Sequence, residues 1–214
     1  MSRIAKMVMG KFYREAAGNP QRLPWHRETV SKVLESAVAA RNGRCRALDV
    51  GCGAGVFSVW LAERGMEVTG IDLFPEAIVM AQSIAAKRGV QVRFAAADLF
   101  SYAADHPFDL VFDSGCLHSL VGGNVNSYKS QLMHWLAPDG DYVLEHWGKR
   151  HALDWRPIGP RRRTQASIER LFAPELALVQ VEVSDFAAPL PFGPTVRGLG
   201  YWFRRGLQAG THYS

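Results

Sequence analysis

The stretch Ala47-Leu48-Asp49-Val50-Gly51-Cys52-Gly53-Ala54-Gly55 sets glycines at alternate positions directly after a short apolar run. That run, Arg46 to Val50, reads as a buried strand, and the pattern from Val56 to Glu63 reads as a helix that begins at once. Glycine lets the backbone turn sharply and come close to a ligand, while the first N–H groups of the next helix face it. A second strand pattern, Val68-Thr69-Gly70-Ile71-Asp72, ends in a carboxylate about 20 residues after the glycines, where a ribose-binding acid is expected. Strand, turn, helix, strand and terminal acid in this order predict half of a nucleotide-binding sheet.

The spacing is G-x-G-x-G rather than the dinucleotide fingerprint G-x-G-x-x-G, and no G-K-[ST] follows, which excludes a P-loop. With these residues the chain resembles the class I methyltransferases that use S-adenosylmethionine. The likeness runs from Ala47 to Tyr142, through Gly70-Ile71-Asp72-Leu73, Ala96-Ala97-Asp98-Leu99 and Phe108-Asp109-Leu110-Val111-Phe112-Asp113. It implies S-adenosylmethionine as cofactor, S-adenosylhomocysteine as product, and no metal. It also implies a cofactor site of Asp49, Gly51, Gly53, Gly55, Asp72, Leu73, Ala97, Asp98, Leu99 and Ser114. In that family the acid matching Asp72 holds the ribose hydroxyls, the acid matching Asp98 meets the adenine amine, and the glycine loop takes the methionine end. An uncharged adenosine carrying an amino acid needs hydrogen-bond acceptors there, not a phosphate cradle.

A chain of 214 residues with 48% hydrophobic side chains is sized for one domain with one sizeable core. No apolar run reaches the ~18 residues of a membrane span, and Met1 to Lys6 does not read as a secretory leader. Cys45, Cys52 and Cys116 lack metal-ligand spacing and fit a reducing cytoplasm. The net charge of +5 raises nucleic acid as a partner. The basic residues gather at Lys149-Arg150-His151, Arg161-Arg162-Arg163 and Arg204-Arg205, with no interleaved aromatic stripe, so RNA stays the lesser alternative.

Strand patterns at Arg46–Val50, Glu67–Asp72, Gln91–Ala95, Leu110–Phe112 and Tyr142–Glu145 alternate with helical ones at Val56–Arg64, Pro75–Arg88 and Tyr128–Trp135. Such alternation predicts an α/β fold, and with the resemblance it implies a Rossmann-like three-layer α/β/α sandwich around a mostly parallel seven-stranded sheet with one antiparallel edge strand. Pro138-Asp139-Gly140 reads as a turn before the fifth strand. A short helix, Gln165–Phe172, precedes strands at Ala177–Val183 and Thr195–Phe203, which lie too close for a helical crossover and should pair antiparallel. The expected organisation is one methyltransferase domain, 1–214. Within it, 1–40 is an N-terminal lid, 41–147 the cofactor core, and 148–214 the acceptor loop and last strands.

Ligands of open α/β sheets bind beyond the carboxyl ends of the strands. Two regions can close over that edge: the N-terminal segment with Phe12, Tyr13 and Trp25, and the loop His146–Arg163 with Trp147 and Trp155. Trp25 and Trp155 could each instead plug the edge of the core. Asp113-Ser114-Gly115-Cys116-Leu117-His118 begins where the fourth strand ends, beside the expected methyl group. His118 is the leading general-base candidate and His26 the second, although His118 could equally shape the pocket. Cys116 reads as small apolar filler at the acceptor, since a sulfonium needs no covalent intermediate. Trp25, Cys116, His118, Trp147 and Trp155 make the expected acceptor-binding set.

The chemistry is then displacement of a methyl group from sulfur by sulfur, oxygen or nitrogen of a small acceptor, aided by alignment and exclusion of water. The sparse base constellation tilts the expectation toward a thiol, which ionises with a pKa of ~8.5. Leu23-Pro24-Trp25-His26, the Asp113–His118 run and Gly159-Pro160-Arg161-Arg162-Arg163-Thr164 also resemble small bacterial thiopurine and tellurite methyltransferases, which implies detoxification or tailoring of small molecules. RNA or protein methylation, and cofactor binding without turnover, are the competing readings. The expected assembly is a monomer or homodimer, with no membrane partner.

Overall fold

The computed structural model describes residues 3–41, 45–149, 161–187 and 195–206. Helix α1 (Arg3–Ala16), a single 3-10 turn at Pro20–Arg22 and helix α2 (Lys32–Ala40) precede the sheet. There follow β1 (Arg46–Val50), α3 (Val56–Ala62), β2 (Glu67–Asp72), α4 (Pro75–Arg88), β3 (Val92–Ala96) and β4 (Phe108–Ser114). The chain continues through α5 (Asn124–Trp135), β5 (Leu136–Gly148), α6 (Gln165–Phe172), β6 (Leu176–Ala187) and β7 (Thr195–Arg205).

The seven strands form one sheet in the order β3-β2-β1-β4-β5-β7-β6. β3, β2, β1, β4 and β5 are parallel, and β7 runs antiparallel to both β5 and β6. β6 therefore closes that edge, with the reversed strand one position in. β1 sits mid-sheet and is buried on both faces beyond Arg46, which is why Ala47 to Val50 is apolar apart from Asp49.

Helices cover both faces. α2 and α3 pack Val33, Leu34 and Leu61 against Ala47, Leu110, Phe112 and Val143. α5 and α6 pack Tyr128, Leu132, Trp135, Ile168 and Phe172 against Leu48, Val111, Tyr142 and Leu144. The boundaries follow local chemistry: Ser31 and Thr164 cap α2 and α6 through their hydroxyls, Pro75 opens α4, and Gly89 ends it in the left-handed conformation. Pro138-Asp139-Gly140 does not precede β5 but lies within it. Phe108 pairs with Leu136 and Leu110 with Asp141, so the extra residues of β5 form an irregularity and the strand then resumes. Among the described residues no helix is long and apolar enough to cross a membrane.

Candidate active site

The strand order lines up the carboxyl ends of β3, β2, β1, β4 and β5, each about 4.8 Å from the next. Along that edge stand Asp98 beyond β3, Asp72 ending β2, the loop Gly51–Gly55 after β1, Ser114 ending β4, and Glu145 on β5 in register with Ser114.

The glycine loop is wound as its sequence requires. Gly51, Gly53 and Gly55 have φ of 68°, 55° and 76°, in the left-handed region that disfavours side chains. Cys52 N–H donates to the Ile71 carbonyl (2.9 Å), tying the loop to β2. One carboxylate oxygen of Asp72 accepts from Gly53 N–H (2.9 Å) and the other from Phe74 N–H (3.0 Å). Asp72 thus fixes the loop, and burial raises its pKa above the ordinary value. Asp49 lies beneath the loop, where it accepts a hydrogen bond from Ser58 (2.6 Å); burial pushes its pKa up to about 7. Ala97 N–H donates to the Asp72 carbonyl (2.8 Å), joining the ends of β2 and β3 and setting Asp98 and Leu99 beside Leu73.

α1 straps this half of the edge. The Tyr13 ring is buried with Ala54, Ala77 and Met80, and a Cβ at Gly53 would meet its hydroxyl at 3.3 Å. Burial and the charge of Asp72 raise the Tyr13 pKa. Lys6 approaches Asp98 at 3.8 Å and Arg14 pairs with Glu76 of α4 at 3.2 Å. Trp25 packs edge-on against Phe12 and Tyr13, so it joins the aromatic cluster around Tyr13. Its neighbour His26 pairs with Glu28 (3.1 Å). The residue that reaches the ends of β4 and β5 is Arg27, which donates to Ser114 and Glu145 and lies over the Phe57 ring.

On the other side of the loop, Asp113 builds the turn after β4. Its oxygens accept from the N–H groups of Gly115, Cys116 and Leu117 and from the Tyr128 hydroxyl (2.7 Å), and burial lifts its pKa to about 6. Cys116 donates to the Val50 carbonyl (3.3 Å) and fills the space a Gly51 side chain would need, at 2.3 Å. It is therefore packed beneath the loop, with burial raising its thiol pKa. His118 stacks edge-on near His146 (5.6 Å between ring centres) and Trp147 (6.0 Å). Burial lowers the pKa of His118 to about 4 and that of His146 to about 3, so both rings are neutral at pH 7.

A neutral buried His118 has a kinetic consequence. Its protonation falls below pH 5, so a kcat/KM profile between pH 6 and 8 should show no inflection from this ring. Comparing the wild type with His118→Asn across that range tests this; an inflection near 6.5 lost in the variant would contradict it.

The structure brings together Ser114, His118 and Trp147 on one side and the glycine loop, Asp72 and Asp98 on the other. Trp155 lies outside the described residues. Sequence reasoning left Arg27, Glu145 and His146 without a role, and mentioned Tyr13 only as one aromatic in the N-terminal segment. Arg27 is separated from Glu145 by most of the chain, so no local pattern links them. Some of the positive charge is committed structurally: Arg204 and Arg41 bind the buried Asp141, and Arg205 donates to the carbonyls of Met133 and Leu136.

Residues 47–140 match the family model described as a methyltransferase domain. That segment carries the glycine loop, β2, α4, β3, β4 and α5 of this sheet. Among curated proteins, a 2-heptyl-1-hydroxyquinolin-4(1H)-one methyltransferase of Mycobacteroides abscessus is 34% identical over 99 residues, covering 45% of this chain and 44% of its own length. A ubiquinone biosynthesis O-methyltransferase of Bordetella parapertussis is 37% identical over 95 residues, covering 44% and 36%. The chain thus spans less than half the length of these relatives. A solved Burkholderia thailandensis 1,6-didemethyltoxoflavin-N1-methyltransferase, with 1,6-didemethyltoxoflavin and S-adenosylhomocysteine bound, superposes with a TM-score of 0.66 at 20% identity, covering 96% of this chain and 91% of the other.

Proposed function

We propose that the protein transfers a methyl group from S-adenosylmethionine to a heteroatom of a small molecule. The observation that carries this reading is the continuous row along one sheet edge. Asp98, Asp72 and the Gly51–Gly55 loop offer acceptors and close backbone approach for an adenosine bearing an amino acid. Ser114, His118, Glu145 and Trp147 offer a polar, ring-lined end beyond it. Bound in this row, S-adenosylmethionine supplies a methyl group on a positively charged sulfur.

The chain's own residues do the remainder. Asp72 would accept from the ribose hydroxyls and Asp98 from the adenine amine, with Leu73, Ala97 and Leu99 framing the base. The segment ahead of α2 acts as a lid of the single domain, with Tyr13 and Trp25 covering the cofactor and Arg27 reaching the acceptor end, while α2 packs on the sheet face. Relatives named as a 2-heptyl-1-hydroxyquinolin-4(1H)-one methyltransferase, a ubiquinone biosynthesis O-methyltransferase and a 1,6-didemethyltoxoflavin-N1-methyltransferase support a small acceptor.

Because Tyr13 covers Gly53, Tyr13→Ala is expected to weaken S-adenosylhomocysteine binding about tenfold, mainly through faster release, a loss of ~1.4 kcal/mol. Stopped-flow dissociation measures it, and an unchanged off-rate would remove α1 from the cofactor site. The overall reading is tested by incubating the protein with methyl-labelled cofactor and panels of phenols, amines, thiols and RNA. Label moving to a small molecule supports it; label moving only to RNA, or none moving despite tight cofactor binding, overturns it.

A further inference from the structure

Four buried carboxylates or near-buried ones stand along the carboxyl edge, and three have both oxygens committed or lie beneath the loop. Asp49 is held by Ser58 below the glycines, Asp72 by the N–H groups of Gly53 and Phe74, and Asp113 by three amides and Tyr128. Glu145 differs. Its Oε2 accepts from the Ser114 hydroxyl (2.8 Å) and from Arg27, while its Oε1 is buried with no hydrogen-bond partner among the described residues. Its side chain is only 10% exposed. A carboxylate oxygen shut from solvent without a donor carries a penalty that a ligand N–H or O–H relieves.

The location says which ligand. The row runs from Asp98 through Asp72 and the glycine loop to β4, and Glu145 lies one strand further, past the methionine end of the cofactor. That is the acceptor's place. The fixed Oε2 turns Oε1 into the free acceptor, and Arg27, itself 43% exposed at the side chain, comes from the N-terminal segment that covers the site. His146, next along β5 and so on the opposite face, carries a separate acceptor beside His118. Its Nδ1 lies 2.7 Å from the Trp147 carbonyl, which can only accept, so Nδ1 carries the proton. Its buried Nε2 is then a lone pair without a partner.

Resting on the methyltransferase reading above, we propose that Glu145 binds and deprotonates the acceptor, and that the acceptor is a protic O–H or N–H group on an aromatic ring rather than a thiolate. The acceptor heteroatom attacks the methyl carbon, the new heteroatom–carbon bond forms as the carbon–sulfur bond breaks, and that electron pair stays on sulfur. The heteroatom's proton passes to Glu145 Oε1 and then to solvent. Arg27 and Ser114 hold the carboxylate in place and so act as positioning residues. A thiolate brings no proton and would set its charge against Glu145, which reverses the thiol preference drawn from the sequence alone.

The test uses the whole chain, Glu145→Gln, and the matched probes naphthol, naphthylamine and naphthalenethiol, in the presence of S-adenosylhomocysteine for binding and of the methyl donor for turnover. Glutamine keeps the shape and removes the charge. For the wild type, naphthol or naphthylamine should bind and be methylated. The variant should lose about tenfold in their binding and 100-fold or more in kcat, typical of a lost proton acceptor. Turnover of naphthalenethiol should change less than threefold. S-adenosylhomocysteine affinity without probe should be unchanged. Four results would overturn the proposal: equal losses for all probes, no loss for naphthol and naphthylamine, a wild type that takes only the thiol or none of the probes, or a variant with weakened S-adenosylhomocysteine binding, which would assign Glu145 to the methionine ammonium. A wild type that fails to bind S-adenosylhomocysteine at all would instead defeat the underlying methyltransferase reading. A thermal melt of the variant within a few degrees of wild type excludes misfolding.

Discussion

Asp72→Ala is expected to reduce S-adenosylhomocysteine affinity at least ~100-fold. Two effects combine. The substitution removes the carboxylate that would accept from both ribose hydroxyls, each bond to a charged group being worth ~1.5–3 kcal/mol. It also frees the N–H groups of Gly53 and Phe74, which Asp72 now holds at 2.9 and 3.0 Å, so the glycine loop loses the anchor that shapes it. Calorimetric titration reads the first effect, and thermal melting reads the second as a loss of ~1–3 kcal/mol for amides left without a partner. Affinity within threefold of wild type would mean that the ligand does not pass over β2.

The glycines should separate binding from folding. Gly55→Val is expected to destabilise the fold itself. A side chain there would sit at φ 76°, 2.7 Å from the Ala81 Cβ and 3.1 Å from its Cα, in backbone that α4 fixes. Left-handed strain of ~1–2 kcal/mol and overpacking of ~1–3 kcal/mol add. For a chain of this size each kcal/mol lowers the midpoint by ~2–4 °C, so a fall of about 10 °C is expected. Gly53→Val carries the same left-handed strain but meets only the Tyr13 hydroxyl, at 3.3 Å. It should melt closer to the wild type yet fail to bind cofactor, because its side chain occupies the cleft. If Gly55→Val is as stable as Gly53→Val, the close packing of the loop on α4 is wrong.

Much of the sheet was legible because its strands are central. β1 and β2 end where their apolar runs end, and Asp72 follows from its distance to the glycines. Local signals failed where tertiary contacts decide. The irregularity in β5 hides behind Pro138-Asp139-Gly140, residues that in isolation mark a turn, and pairing with β4 on both sides keeps them in the strand. Helix α2 carries few residues, and its amphipathic pattern emerges only against β5 and β7. At the site, Gly51–Gly55 and Ser114 lie close in sequence to the strands that place them. Arg27 and Glu145 are joined only by the fold, 118 positions apart in the sequence. His118 illustrates a different limit: its neutrality down to about pH 5 comes from burial, which no spacing in the sequence records.

Calorimetric titration of S-adenosylhomocysteine into the wild-type chain tests the central claim most directly. Binding at ~1:1 stoichiometry, abolished in Gly53→Val while that variant still melts cooperatively, is the expected result. A wild-type protein that gives no heat with S-adenosylhomocysteine or S-adenosylmethionine, or a Gly53→Val variant that binds as tightly, would contradict it.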